Sequence, residues 1–419
     1  MICKWLHVSH RAELYHGPVV IRVLAVIAPL VMTVAPASAQ LVAPRERAPI
    51  EIGTVSLYPQ VRIVDSGKDS NVFREATQPK EDYTATVSSR VLGVAKIGAN
   101  ELVFSTGSDY VWFQKYESER SNNGTYAARF NANASRFQPF IAANYLVSNS
   151  RPNPEIDGRV RRVERTAQAG VAFNLAERTA LVASGQLDDS TYTDGEAFRG
   201  VELAEPLNRK GRAYSGGVKY ALTPLTTLTV TGEIGRDRFP DSHLRDANSY
   251  SINPTLTFSP DAAIQGQFMV GFEAFIPKDS TLPDRRGAVF SGALTWTMFG
   301  RTTFGVQSSR NVGYSYLDNE QYYLWTAVHL DVTQPIFGPV ELLAGVDWDR
   351  LEYLSSLDAS SAAGQRRDIM RRGGGGIGVS LGRGMRLTAT VERTERHSNS
   401  DPRQNFKATR VLSSITIGS

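Results

Sequence analysis

The sequence has almost no cysteine. Its single cysteine, Cys3, lies in a segment that we expect to be removed, so the mature chain would carry no thiol. Without thiols there is no disulfide, no cysteine metal site and no lipid-carrying cysteine. A phosphate-binding loop is also missing, because the glycines at 373–376 are not followed by Lys and Ser or Thr. The sequence therefore predicts no cofactor and no metal site, and it does not predict an enzyme.

Long apolar runs are missing as well. After residue 35 no stretch of about 18 apolar residues occurs, so no helix is a candidate to span a bilayer. Hydrophobic residues make up 41% of the chain, and the mean hydropathy is −0.25. These values exclude a helical membrane protein. They do not exclude a transmembrane β-barrel, in which half of the strand positions are polar.

The first 39 residues have the features of a secretory signal peptide. Three basic residues come first: Lys4, Arg11 and Arg22. An apolar stretch follows at 23–34, and Ala-Ser-Ala at 37–39 is a small-residue cleavage site. We predict cleavage after Ala39, which makes Gln40 the first mature residue. An uncleaved anchor helix is the alternative, but the apolar stretch is shorter than the roughly 20 residues that a span needs.

Removal of this segment lowers the formal net charge of the chain. It carries three basic residues and one acidic residue, Glu13, so the charge falls by two, from +4 to +2. The sequence pI is near 9.0, but no dense basic patch accompanies it. We therefore expect no nucleic-acid partner.

From residue 55 onward, apolar and polar residues alternate over stretches of about 9 to 11 residues, the length of a tilted membrane-spanning strand. The clearest stretch is 263–276. Ile264 and Phe272 fall on one face there, and Gln265 and Glu273 fall on the other. A period of two places these sets on opposite faces of a sheet. The sequence thus predicts strands with one apolar and one polar face.

Short and long connections alternate between these strands. Short turns rich in Gly, Pro, Asn and Asp are predicted near 98–100, 138–139, 176–178, 223–226, 259–262, 299–301, 335–339 and 382–384. Longer polar loops are predicted at 65–80, 117–124, 149–161, 189–209, 237–247, 277–287, 317–321, 355–371 and 398–404. Short periplasmic turns and long outer loops are typical of outer-membrane barrels. The weakest predicted strands are 55–64 and 371–382, where Gly373 to Gly376 indicate a bend or bulge.

We therefore predict an all-β chain, a transmembrane antiparallel up-and-down β-barrel of about 18 strands (16–18) in the outer membrane of a Gram-negative bacterium. The predicted divisions are a signal peptide at 1–39, a flexible periplasmic lead-in at 40–54 and the barrel at 55–419. A soluble β-sandwich or propeller is the rival fold, since its strands also alternate. Aromatic residues at the ends of the stretches favour the barrel, as an interfacial girdle would: Tyr110, Trp112, Tyr126, Tyr145, Tyr220, Tyr250, Trp296, Tyr322 and Trp348.

The polar face of such a barrel would line a lumen. The predicted lumen-lining residues are Arg90, Asp109, Arg129, Asn131, Lys219, Glu233, Gln265, Gln267, Glu273, Gln307, His329, Asp331, Glu341, Asp347 and Glu392. A ring of 16 to 18 strands leaves room for water, so a channel is expected. An inward-folded loop, at 189–209 or 355–371, would narrow it. For each single charge, solvation or pairing with a cross-strand neighbour is the simpler interpretation.

One short segment carries a family resemblance. Asp69, Ser70, Asn71, Val72 and Phe73 lie early in the predicted barrel, before the strand–turn–strand repeats. With these repeats, the segment resembles the putative β-barrel porin 2 family over about residues 55–419. The resemblance implies an outer-membrane channel, linked to the production and export of exopolysaccharide, without catalytic residues. From the residues alone, Asp69 and Asn71 are expected to cap a turn in the first outer loop.

Several functions stay open at this point. The first is a porin-like channel for exopolysaccharide export or for the passage of sugars and other small solutes. Tyr323 and Trp325, on the predicted inner face, would suit stacking on sugars, although a girdle role is favoured. The second is a structural or adhesive barrel with a plugged lumen. An outer-membrane lipid hydrolase is less favoured, because the mature chain has only three histidines and no serine in an obvious triad with them: His243, His329 and His397.

The expected partners follow from the barrel. They are outer-membrane lipid and lipopolysaccharide, the barrel assembly machinery and components of polysaccharide export. Asp347, Asp349 and Glu352 are interpreted as a solvated acidic patch rather than a cation site.

Overall fold

The structure is a computed structural model that describes residues 48–354, 366–382 and 384–418. The predicted signal peptide and its cleavage site at Ala39 and Gln40 lie outside the described residues. Within the described residues, no helix combines the length and the apolarity needed to cross a membrane.

Strands make up most of the described chain. Their bounds are β1 Ile50–Ile52, β2 Val55–Asp69, β3 Asp82–Ile97, β4 Asn100–Phe113, β5 Ser121–Asn131, β6 Phe137–Ser150, β7 Val160–Ala176, β8 Thr179–Tyr192, β9 Ala197–Phe198, β10 Val201–Glu202, β11 Arg209–Thr223, β12 Thr226–Arg238, β13 Ala247–Phe258, β14 Ile264–Pro277, β15 Arg285–Met298, β16 Thr302–Tyr314, β17 Tyr322–Phe337, β18 Val340–Leu354, β19 Arg367–Gly382, β20 Met385–Ser398 and β21 Phe406–Gly418. The helical segments are short: α1 at Ala204–Leu207 and 3₁₀ turns at Glu117–Glu119, His243–Arg245 and Pro402–Gln404.

Eighteen long strands form one closed antiparallel ring. They are β2–β8 and β11–β21, each paired with its neighbours along the chain, while β8 pairs with β11. The ring closes where β2 pairs with β21, for example at Arg62 and Thr416. A closed sheet leaves no unpaired edge, which is the condition for spanning hydrocarbon with strands. The predicted 18-strand antiparallel barrel is confirmed.

The connections alternate in length as the sequence predicted. The described connections at one end span 98–99, 132–136, 177–178, 224–225, 259–263, 299–301 and 338–339. Those at the other end span 70–81, 114–120, 151–159, 193–208, 239–246, 278–284, 315–321 and 399–405. We refer to these as the short-turn end and the long-loop end.

Two predicted turns and the strand lengths need correction. Gln138 and Pro139 lie inside β6, and the turn precedes them, with Ala134 and Phe137 exchanging backbone hydrogen bonds. Pro335 lies inside β17 next to a register shift, and the turn itself is only 338–339. The ring strands have 11 to 17 residues, and all except β5 are longer than the predicted 9 to 11. The strands, with their alternating apolar and polar residues, extend beyond the thickness of the membrane. Prolines in these extensions were therefore mistaken for turn residues.

The glycine run in β19 is not a bulge. Gly373 to Gly376 pair without interruption with Val346 to Leu343 of β18 and with β20 on the other side. A Cβ atom at Gly376 would lie 2.0 Å from the carbonyl oxygen of Ala389. The run therefore allows a close approach of neighbouring backbones instead of weakening the strand. The register shift in β19 lies later, between Ser380 and Gly382.

Part of the predicted flexible lead-in is ordered. Residues 50–52 form β1, which pairs with Val55–Leu57 of β2. Ala48 is buried against Tyr58, Val94 and Val103. This small apolar cluster lies at the short-turn end, because Tyr58 is near the start of β2.

The two faces of the ring differ in polarity. In β14, Val270 and Phe272 are 49% and 57% exposed on one face, and Glu273 lies on the other. The same exposed face carries six of the predicted girdle residues: Tyr110, Tyr126, Tyr145, Tyr220, Tyr250 and Trp296. Trp112 and Trp348 share that face but are half-buried. The prediction is wrong for Tyr322, which is 2% exposed and packs against Phe275 and Leu282.

Candidate functional site: the barrel lumen

A cavity of about 430 Å³ lies inside the ring. Its wall comes from β2–β4 on one side and from β17–β21 on the other, and these strands adjoin each other across the closure of the ring. At the long-loop end, Arg151 to Pro154 and Arg159 of the 151–159 loop also line it.

Register places all fifteen predicted lumen residues on the inner face. Ser88 pairs with Asp109, and His329 pairs with both Gln307 and Asp347. Directly paired residues share a face, so the assignment passes from strand to strand around the ring. Six of the fifteen line the cavity: Arg90, Asp109, His329, Asp331, Asp347 and Glu392. The other nine lie on the same face outside the cavity wall: Arg129, Asn131, Lys219, Glu233, Gln265, Gln267, Glu273, Gln307 and Glu341.

Most of the inner carboxylates have a cation close by. His329 contacts Asp347 at 2.6 Å through Nδ1 and Asp331 at 3.4 Å through Nε2. Glu341 accepts a hydrogen bond from Arg386 Nε at 2.6 Å. Such pairing offsets part of the cost of enclosing charge away from bulk water.

Arg410 of the cavity wall contacts several carboxylates at once. It lies within 4 Å of three carboxylates, at 3.1 Å from Asp65, 3.6 Å from Asp69 and 3.6 Å from Glu392. These groups come from both sides of the ring closure, since Asp65 and Asp69 are on β2 and Arg410 is on β21. The network therefore ties the first long strand to the last one.

The loop at 151–159 crosses the long-loop end of the cavity. It connects β6 to β7 but contacts β20, which lies six strands from β6 around the ring. Arg396 of β20 donates to Asp157 Oδ2 at 2.6 Å and to the carbonyl oxygen of Pro154 at 2.7 Å. Arg74 of the first long loop donates to Asp157 Oδ1 at 2.9 Å. This loop narrows the lumen at the long-loop end of the cavity, and we call it the constriction loop. The sequence predicted a polar loop here but did not indicate that it narrows the lumen.

Asp157 is strongly stabilised as an anion. It is 4% exposed. Burial alone would raise its pKa, but the charges of Arg396, Arg74 and Arg151 outweigh burial and lower the pKa below its ordinary value. The loop thus contributes a fixed negative charge that arginines from two other segments hold in place.

Glu155 behaves in the opposite way. Its side chain is 0% exposed, and burial raises its pKa from about 4.5 to about 7 although Ser315, Arg366, Tyr353 and Arg396 favour the anion. Oε1 accepts a hydrogen bond from Ser315 Oγ at 2.6 Å, and Oε2 has no hydrogen-bond partner among the described residues. One carboxyl group of the constriction is therefore poised to change charge near neutral pH.

The Asp69–Phe73 segment anchors this arrangement. Asn71 is 1% exposed, and its amide nitrogen donates to the carbonyl oxygens of Glu75 at 2.8 Å and Lys407 at 3.1 Å. Asp69 Oδ1 accepts from the Asn71 backbone N–H at 2.9 Å, so the two residues form the predicted turn. The carbonyl oxygen of Val72 accepts from Arg151 Nη2 at 2.7 Å. The segment therefore connects the first long loop to the constriction loop.

The β16–β17 hairpin also leaves the wall at the long-loop end. Pairing between β15 and β16 stops at Phe290 and Arg310, although β15 begins at Arg285 and β16 continues to Tyr314. Beyond this point β16 pairs only with β17. The ring is thus split over a short length, and the hairpin end is free to bend across the opening.

The tip of this hairpin, residues 314–321, contacts β12 and the β12–β13 loop, which lie three to four strands away around the ring. Tyr314 donates its hydroxyl hydrogen to Asp237 Oδ2 of β12 at 2.6 Å. Arg245, 1% exposed in the β12–β13 loop, donates to the carbonyl oxygens of Ser315 at 3.0 Å and Leu317 at 2.9 Å. Ser315 at the hairpin tip also donates a hydrogen bond to Glu155 of the constriction loop. The hairpin tip and the constriction loop therefore contact each other, and together they close the long-loop end of the lumen.

The loop predicted to fold inward at 189–209 takes part in the same closure. Leu203, just before helix α1, packs against Ile156, Val160 and Tyr192, and α1 joins the same apolar cluster. Leu203 and Ile156 are both 0% exposed, so the loop covers the constriction loop with an apolar layer. Of the other predicted loop, 355–371, residues 355–365 lie outside the described residues, and 367–371 belong to β19.

Tyr323 and Trp325 point inward but are not free. They are 2% and 4% exposed and pack with Leu351 and Tyr353. Trp325 Nε1 donates to Asp349 Oδ1 at 2.9 Å. Neither ring lies in an interfacial girdle, and neither offers a free face to a sugar.

The histidines do not converge with a nucleophile. Besides His329, whose ring contacts two carboxylates, His243 is an exposed loop residue beside Asp246. His397 lies on the outward face of β20. Of the three acidic residues considered as a cation site, Asp349 accepts from Trp325 while Glu352 is paired with Arg350 on the opposite face. Within the described residues, no group of three or more His, Cys, Asp or Glu side chains is arranged to hold a metal ion.

Comparison with known families decides the classification. The family model described as Putative beta-barrel porin 2 matches residues 43–418. The chain belongs to this family. As a member of the putative β-barrel porin 2 family it is a porin-like β-barrel of the outer membrane, in agreement with the closed ring of amphipathic strands. No curated protein matches the chain.

Several solved porins resemble this member of the putative β-barrel porin 2 family at low identity. OpdK from Pseudomonas aeruginosa, solved with vanillate, is 11% identical with a TM-score of 0.46, covering 87% of this chain and 99% of its own. A BenF-like porin from Pseudomonas fluorescens Pf-5 is 11% identical with a TM-score of 0.47, covering 88% and 100%. OccAB3 from Acinetobacter baumannii is 9% identical with a TM-score of 0.47, covering 88% and 100%.

Proposed function

We propose that the barrel is a channel for small polar solutes, with the 151–159 loop and the β16–β17 hairpin as its constriction. The observation that carries the proposal is the polar cavity inside the ring, walled by charged and hydroxyl side chains of β2–β4 and β17–β21. An interior of this polarity favours water over a dry packed core. A ring of 18 strands also has the circumference that leaves an aqueous lumen.

Conductance across a planar bilayer tests the proposal. The purified, folded protein should produce discrete current steps in KCl, and its liposomes should swell faster in small sugars than in larger ones. Folding is checked by the shift of the unheated band on an electrophoresis gel. A protein that is folded by this criterion but never conducts would favour the structural or adhesive barrel with a plugged lumen.

Exopolysaccharide export is a narrower form of the proposal. The width of an 18-strand ring supports it, but the observed closure does not, since loops from several connections meet across the long-loop end. The inward aromatic rings that would suit sugar stacking are covered. Deletion of the gene separates the two ideas: secreted polymer falls if the barrel exports it and stays unchanged if the barrel passes only small solutes.

A further inference from the structure

Two arginines of the cavity wall differ from most of the other arginines that line it, which are paired with carboxylates. Arg62 on β2 and Arg90 on β3 lie on the same face of neighbouring strands, where Arg62 pairs with Ser88 and Arg90 pairs with Gln60. Both line the cavity. Across the part of the chain that the structure describes, neither guanidinium has a carboxylate oxygen within 4 Å.

The carboxylates of the same wall are already engaged. Asp347 contacts His329, and Asp65, Asp69 and Glu392 surround Arg410. Asp109, the inner carboxylate on the neighbouring strand β4, accepts a hydrogen bond from Ser88 Oγ at 2.5 Å. The residues that line the whole cavity include eight arginines and six Asp or Glu side chains, so the charge of its wall is positive on balance.

The donors of these arginines are available. Arg62 Nε is enclosed, yet it has no hydrogen-bond partner among the described atoms. The Arg90 side chain is exposed within the lumen and lies over Gly107, where a Cβ atom would be 3.4 Å from Arg90 Cγ. An enclosed donor without a partner is costly, and a reorientation of the Arg62 side chain toward an anion in the cavity would remove that cost.

A third cation extends this region toward the constriction. Arg151 lines the cavity and gives its hydrogen bonds to backbone carbonyl oxygens, of Asp157 at 2.6 Å and of Val72 at 2.7 Å, and not to a carboxylate. A solute that passes the constriction loop would meet Arg151 first and the arginine pair next. The hydroxyl group of Thr86 in the same wall supplies a further donor.

We propose that the cavity is a binding site for small organic anions, in which Arg62 and Arg90 hold a carboxylate or phosphate group. Planar guanidinium groups bind the oxygens of such anions with paired, charge-assisted hydrogen bonds. The inference rests on the proposed channel function and names the charge class of its solute. The channel would then pass chloride and small carboxylates in preference to potassium.

Reversal potentials test the proposal. Single channels of the wild type in a KCl gradient should reverse at a potential that indicates preference for chloride. Arg62→Gln and Arg90→Gln should each lower the chloride-to-potassium permeability ratio by up to about tenfold, because one unit charge roughly 6 Å from the ion in water favours chloride about threefold and disfavours potassium about threefold. The double variant should lose most of the preference. Arg393→Gln, on the outward face of the ring, is the matched control and should leave the ratio unchanged.

Competition identifies the anion chemistry. Millimolar succinate or inorganic phosphate, added to the wild type, should reduce the chloride current, and the double variant should resist both. Block by succinate alone would indicate a carboxylate site, and block by phosphate alone would indicate a phosphate site. A conducting wild type with no ion preference and no block overturns the anion site but leaves the channel function standing. A folded wild type that does not conduct contradicts both.

Discussion

Arg396 of β20 joins Asp157 of the constriction loop to Asp368 of β19, with Nη1 at 2.6 Å from Asp157 Oδ2 and Nη2 at 2.7 Å from Asp368 Oδ2. All three side chains are at most 4% exposed. Through these two ion pairs, Arg396 holds the constriction loop against the barrel wall.

Substituting this arginine should loosen the constriction. Arg396→Ala removes one cation from each of two buried carboxylates, while Arg74 still pairs with Asp157 and Arg366 still pairs with Asp368. The cost should therefore be below the roughly 3–5 kcal/mol of a buried pair that loses its partner. Since the ring itself has 18 paired strands, we expect the loop to detach while the barrel stays folded. Single-channel conductance should rise, and larger sugars should permeate liposomes. Arg393→Ala, three residues earlier on the outward face, is the control, and equal conductance in both variants would contradict the tethering role.

The charge of Glu155 should make the closure sensitive to pH. Its pKa in the fold, about 7, is above the ordinary value near 4.5. The folded loop therefore binds the proton more tightly than the unfolded loop does. The closed arrangement is most stable below about pH 4.5 and loses up to about 3 kcal/mol as the pH rises to 7 and above.

Conductance measured between pH 5 and pH 8 checks this prediction. The open fraction of the wild type should increase with pH. Glu155→Gln keeps the carboxyl shape and a neutral acceptor for Ser315 but cannot ionise, so its conductance should be low and independent of pH over this range. A wild-type profile that is flat, or that falls as the pH rises, would count against the assignment.

A covalent link between the hairpin tip and the constriction loop should hold the channel shut. Ser315 and Glu155 are hydrogen-bonded to each other, although they are 160 residues apart. The only cysteine in the sequence is Cys3, in the predicted signal peptide, so Glu155→Cys with Ser315→Cys introduces two thiols into an otherwise thiol-free background. A short reversible bis-thiosulfonate should lower the current of the double variant, and a reductant should restore it. Each single cysteine variant should be insensitive to the reagent; a double variant that conducts equally before and after crosslinking would exclude movement of these elements as the gate.

The orientation of the strands predicts the effect of charge on the outward face. Val270 is 49% exposed on that face of β14, and Met269 lies next to it on the inner face. Val270→Arg places a charge toward lipid and should destabilise the folded barrel by about 2–4 kcal/mol. Met269→Arg, the matched control, places the same charge in the lumen. Urea titration in lipid vesicles should show a lower midpoint for the first variant, and equal midpoints would mean that the faces are reversed.

The fold could be predicted from the sequence because its signal is local. Alternation such as that of Gln265, Gln267 and Glu273 against Val270 and Phe272 assigns each residue to a face without knowledge of distant residues. Every predicted lumen residue consequently lies on the inner face. Errors arose where a local cue has two meanings, as with Pro139 and Pro335, which lie within strands rather than at turns.

The constriction could not be predicted in the same way. Glu155 and Asp157 stand in a polar, proline-containing loop with no periodic pattern, and their partners Ser315 and Arg396 are 160 and 239 residues away. Such contacts depend on how far each loop reaches across a ring whose diameter is set by all 18 strands. The Asp69–Phe73 segment gave the one local clue, since its turn chemistry was visible, but its contact with Arg151 was not.

The pairing of β2 with β21 has a consequence for biogenesis. One edge of the first long strand pairs with the last strand, so the cylinder is incomplete until nearly the whole polypeptide has been delivered. A chain that lacks its final strand would expose the unpaired backbone edges of β2 and β20 to the lipid. A prematurely terminated chain should therefore be degraded by periplasmic proteases and should not form a smaller pore.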